Sequence, residues 1–170
     1  MIHYLARMGL TSLLTLDRKS IASLIVGSAD HYGGDSPRQF DDFMALLEGS
    51  NQEEVFWGLY SAFTVPRHEF RHSRQELAGS LLLRLRPPCP LTAYDAVRNA
   101  LSGWEVSVEE LPWYLALVCG EEAIWEALQT LDAEPLEEQQ RYALNTFRFW
   151  LLPGWRDNPL ARLRIGDGNA

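Results

Sequence analysis

The pentapeptide His68-Glu69-Phe70-Arg71-His72 is the first place in this sequence where residue type and spacing point to chemistry. Carried on an α-helix, two histidines four residues apart turn both imidazoles toward one Zn²⁺ ion, and the intervening Glu69 becomes the general base for a metal-bound water. The surroundings argue the other way. Pro66 lies two residues ahead, and Arg67, Arg71 and Arg74 set three guanidinium groups beside the place of a dication. Gln75 and Ala78 stand where an extended motif places Gly and a third His. The bland reading is a polar, basic helix entry.

The segment resembles the zinc-dependent metalloproteases over these five residues, and that resemblance implies a small zinc hydrolase using His68, Glu69 and His72 as the alternative function. Other chemical candidates are weaker. Asp30-His31-Tyr32-Gly33-Gly34-Asp35 reads as a glycine turn with metal-capable side chains. Cys119, between Val118 and Gly120, reads as a small buried hydrophobe, and Cys89 is flanked by prolines. Two cysteines cannot build a disulfide framework. There is no nucleophile elbow, phosphate-binding glycine loop or dinucleotide fingerprint. The expectation is therefore a protein that is not an enzyme, with no cofactor and no bound metal.

The elements that would position these residues are helical. The chain has 170 residues, enough for one domain burying about 70% of its unfolded surface. Its 46% apolar content is too high for disorder. Ser36-Pro37-Arg38-Gln39 combines an N-cap, a proline at the first helical position and a capping-box Gln, ahead of Phe40, Phe43, Met44 and Leu47. Asn51 opens a second helix with Val55, Phe56, Leu59, Tyr60 and Phe63 as its buried stripe. A third runs from Ser73 through Leu85 to the proline cluster at 87–90, the strongest breakpoint in the chain. Beyond it, Thr92 with Asp95 and Ser107 with Glu110 have capping-box spacing. Pro112 sits deep enough to start the main helix, running to Val118, after a single turn over Val108 to Leu111. Helices over Glu121–Leu131 and from Pro135 to Leu151 follow. The N-terminal Leu10, Leu13, Leu14 and Leu16 read as a core helix rather than a secretory signal, because Asp17, Arg18 and Lys19 interrupt the run. The pattern predicts an all-α fold of about eight short helices. They would pack as a single bundle or stacked helix pairs, in one domain spanning 1–170, cytoplasmic and without a membrane span.

Charge is distributed unevenly along these helices. The net value is −8, yet residues 1–86 balance to −1 and residues 147–170 to +2, so the block 87–146 carries −9. First-turn acids gain about 0.3–1 kcal/mol each from the helix dipole, but only Arg98 and Arg141 offset them within the block. Trp104, Trp113 and Trp125 are interleaved with Glu105, Glu109, Glu110, Glu121, Glu122 and Glu126. Acids edged with indole rings are what a basic protein partner needs: steering from a distance and aromatic anchors at contact. A basic strip of Arg67, Arg71, Arg74, Arg84 and Arg86 lies among acids, and net acidity argues against nucleic acid as a partner. In size, acidity and helical organisation the chain resembles bacterial toxin-neutralising immunity proteins. That resemblance implies a cytoplasmic antitoxin occluding a basic toxin domain through those nine residues. A helical scaffold or regulator of another basic partner would use the same face.

Overall fold

Asp17, which interrupts the N-terminal apolar run, is a helix cap. In a computed structural model describing residues 16–65, 69 and 71–152, its carboxylate accepts from the Ser20 N–H at 2.8 Å and opens α1 (Arg18–Tyr32). Ile21, Ile25, Ser28 and Ala29 form the buried stripe of α1. The expected helix ahead of Asp17 and the tail beyond Leu152 lie outside the described residues. Then come α2 (Pro37–Leu47), α3 (Gln52–Tyr60) with a 3₁₀ turn at Ser61–Phe63, α4 (Arg71–Leu85), α5 (Ala93–Ala100), α6 (Glu110–Cys119), α7 (Glu121–Asp132) and α8 (Glu138–Leu151). The described residues form eight α-helices and no strand, so the fold is all-α. None of these helices is long and apolar enough to cross a membrane.

Several starts differ from the spacing rules, each for a local reason. Asn51 caps α3 by accepting from the Glu53 and Glu54 N–H groups, and Thr92 caps α5 through the Asp95 N–H, as their types predict. Ser36 makes no side-chain cap bond, and Gln39, rather than reaching back to close the box, accepts the Ser28 hydroxyl of α1. The Ser107–Glu110 box does not form either: the Ser107 hydroxyl faces His72, and Glu109 is the cap residue of α6. Pro112 is the third residue of α6, where a missing N–H costs nothing because the first four donors of a helix have no internal partner. Pro135 does not start α8. Glu137 caps it, with Gln140 accepting from the Glu137 N–H at 3.2 Å.

The closest pairings join helices two apart in sequence: α1 with α3, α4 with α6 and α5 with α7. Arg18 ties the first pair, donating through Nε and Nη2 to the Glu54 carboxylate, and this holds Glu54 below the usual carboxylate range. Gly58 lets α3 approach α1 closely, since a Cβ there would lie 2.6 Å from the Cβ of Ile21. We expect Gly58→Ala to cost about 2–3 kcal/mol in a denaturant titration, as overpacking forces the helices apart. A loss under about 0.5 kcal/mol would show that the interface yields.

Buried residues from all eight helices form one contiguous core, crossing the proline cluster without a break. Arg86 enters that cluster in the left-handed region (φ 50°), and the buried Tyr114 hydroxyl donates to the Pro87 carbonyl at 2.7 Å. The cluster is thus a strap fixed onto α6.

Candidate functional site

The two ends of the His68–His72 motif differ in setting. Helix α4 begins at Arg71, so Glu69 sits in an exposed turn before it and His72 in its first turn, while His68 lies outside the described residues. The continuous helix that the metal geometry requires is not formed at Glu69. His72 instead places Nδ1 3.3 Å from the Ser107 hydroxyl and Nε2 3.8 Å from the Glu76 carboxylate. Two of the neighbouring arginines are engaged: Arg71 pairs with Glu105, beyond the proline cluster, and Arg74 forks onto Asp30, at 2.6 and 2.5 Å. Asp30, His31 and Tyr32, read from sequence as part of a loop, are the last turn of α1.

Tertiary structure divides the nine residues of the acidic block into three groups. Trp104 and Trp113 belong to the core, at 2% and 5% exposure. The Trp104 indole donates to the Val108 carbonyl at 2.9 Å and meets Phe147 edge-on. Trp113 donates to the Trp150 carbonyl at 3.0 Å. Both rings are apolar bodies whose one polar atom finds an internal acceptor. Neither can anchor a partner, which corrects the expectation drawn from their type and neighbours.

A second group is bound up in the junction of α4 and α6. Glu105 receives Arg71 through its carboxylate, and its backbone N–H donates to the Gln75 side chain at 2.7 Å. Glu110 is largely withdrawn from water beside Ser80, and that burial, with Glu109 and Glu76 nearby, pushes its carboxyl up to about 7. Glu109 is half-buried at the start of α6. Neutralisation also reaches further than sequence adjacency shows. Arg98 meets Glu134 at 3.4 Å, and Asp132 is flanked by Arg141 and Arg148 at 3.5 and 3.4 Å. Among the described residues, two of the four bases seen to offset these acids, Arg71 and Arg148, lie outside the block 87–146.

What remains is one face of α7. Ile124, Ala127, Leu128 and Leu131 are buried, whereas Glu122, Trp125, Glu126 and Gln129 recur at i, i+3, i+4 and i+7 on the other side. Glu122 and Glu126 are exposed and have no ion pair among the described residues; Trp125 is half-buried between them, its ring against the core edge. Glu121 and Glu122 occupy the first turn, where the helix dipole favours them. Glu126 has no such benefit, and a like charge four residues from Glu122 costs about 0.2–0.5 kcal/mol. Helix stability therefore does not explain the pattern. Elsewhere the structure exposes an aromatic that periodicity did not mark, Tyr142 of α8, at 62%. Compared with protein-family models, with curated proteins and with solved structures, the chain gives no significant match.

Proposed function

We propose that this protein is a binding protein of the immunity or antitoxin kind, which occludes a basic toxin domain through the exposed face of α7. The observation that carries the reading is the Glu122–Trp125–Glu126 arrangement: two exposed carboxylates without local compensation, set about a half-buried indole on a helix packed into the core. Rim carboxylates raise the association rate with a positively charged surface, and a large ring offers desolvated contact area once water is excluded around it. Glu121, in the same turn, extends the negative surface. Glu105, Glu109 and Glu110 stay out of the contact, since they are paired or partly withdrawn at the α4–α6 junction. Occlusion of this kind needs no chemistry from the chain itself.

The test is capture of binding proteins from the native cells by the tagged full-length protein, washed at low and then high salt, followed by kinetics on the retained partner. One basic toxin domain in stoichiometric amount is expected. Glu122→Lys with Glu126→Lys should slow association at least about tenfold at low salt and much less at high salt. Trp125→Ala should weaken binding by on the order of 2–4 kcal/mol, mainly through faster dissociation. Rates unchanged by both variants would remove α7 from the interface, and an acidic or nucleic-acid partner would overturn the reading.

A further inference from the structure

Helix α8 runs back along α7, and its end comes level with the acidic face. Arg141 meets the Glu134 carbonyl at 3.3 Å and Asp132 at 3.5 Å, whereas Arg148, two turns on, meets Asp132 at 3.4 Å and the Leu128 carbonyl at 2.8 Å. The two helices are therefore antiparallel. From Arg148 to Leu152 the chain rises about 6 Å further, which brings it alongside Ile124 and Trp125. Asp132 also continues the line of Glu122, Trp125 and Gln129, at i, i+3, i+7 and i+10, so this is the side of α7 that α8 flanks. Leu152 is exposed where α8 ends.

We propose that the Glu122–Glu126 face of α7 is the docking surface for the chain's own segment 153–170. Charge, reach and starting point all favour that occupant. The segment carries Arg156, Arg162 and Arg164 against two aspartates, while Glu122 and Glu126 are exposed carboxylates with no ion pair among the described residues. An extended chain covers about 3.3 Å per residue, so Arg156 comes within roughly 13 Å of Leu152 and Arg162 within roughly 33 Å. Helix α7, with 12 residues, is about 18 Å long, so every point of its face is within range. Trp155, Leu160 and Leu163 supply apolar cover for Leu152 and for the half-buried edge of Trp125. Each exposed ion pair is weak alone, but the tether holds the arginines near the face at a millimolar effective concentration. The inference does not depend on the toxin reading. Where that reading holds, the segment must leave the face before a basic partner binds, and it competes for the same carboxylates.

Limited trypsin digestion of the native full-length protein, followed by mass spectrometry, tests this with no partner present, so its outcome and that of the toxin reading stay separate. Trypsin cuts after arginine, and a docked segment is cut only in proportion to its undocked population. At low salt, cleavage after Arg156, Arg162 and Arg164 should be at least about fivefold slower in the wild type than in the double variant Glu122→Gln, Glu126→Gln. High salt should bring the two rates together. Amide NMR of the full chain gives a second reading: Arg156→Gln with Arg162→Gln and Arg164→Gln should shift the signals of residues 122–129 of α7. Equal cleavage rates at low salt, or α7 signals unmoved by the arginine substitutions, would overturn the proposal. Protection that grows with protein concentration would overturn it too, by assigning the face to a second copy of the chain.

Discussion

Gln75→Leu is expected to destabilise this protein by on the order of 4 kcal/mol, a large part of the roughly 5–15 kcal/mol that keeps a typical domain folded. Gln75 is fully buried on α4, and its amide is fully used. Nε2 donates to the Ala62 carbonyl at 2.9 Å and to the Gly103 carbonyl at 2.8 Å, while Oε1 accepts from the Glu105 N–H at 2.7 Å. One side chain thereby joins α4 to the turn after α3 and to the segment that opens the acidic block. Leucine has about the right volume, so packing changes little. One backbone donor and two backbone acceptors lose their partner at once, at about 1–3 kcal/mol for each group left unsatisfied. The site has no room to rearrange, because at Gly103 even a Cβ would lie 2.4 Å from the Phe63 carbonyl oxygen. Denaturant titration of both proteins, with unchanged slope, measures the loss. A difference below about 1 kcal/mol would mean that water or a backbone shift satisfies the three groups.

The second large effect depends on pH and concerns Glu110. Its folded-state pKa is about 7, against an ordinary value of 4.5, because burial beside Ser80 disfavours the charged carboxylate. The folded protein therefore holds a proton that the unfolded chain releases, and stability falls as pH rises from 4.5 to 7. Above that window the accumulated loss is on the order of 3 kcal/mol. Glu110→Gln keeps the shape and abolishes the titration. We expect the variant to match the wild type near pH 4.5 and to exceed its stability by about 2–3 kcal/mol near pH 8. Parallel denaturant curves at the two pH values isolate this group, since the other titrations cancel between the proteins. Equal slopes with pH would place the Glu110 carboxyl in water.

These two residues show where sequence and tertiary structure divide. Caps, stops and apolar stripes are short-range: Asn51 and Thr92 cap the helices their positions predict, and Ile124, Ala127, Leu128 and Leu131 are buried as their spacing requires. Helical class, the break at 87–90 and the stripe of α7 could therefore be read along the chain. Asp17 carried the same signal for α1, with Ile21 and Ile25 one turn apart behind it, although its charge reads equally as an interruption.

Partnership is long-range, and the chain does not state it. Whether an indole beside glutamates faces water or the core depends on which helix packs over it: Trp104 meets Phe147 and Trp113 meets Trp150, both rings from α8. Which acids stay uncompensated depends on Arg71 and Arg148, which the fold delivers from outside the acidic block. Spacing likewise gives no sign that Gln75 would be the buried hub. Helical class and the gathering of acids in one stretch are legible along the chain, because caps, stripes and composition act over a few residues. Tertiary packing, by contrast, sets which of the nine residues of the acidic block keep exposed carboxylates without an ion pair among the described residues, Glu122 and Glu126, because burial and neutralisation depend on side chains brought together from distant positions.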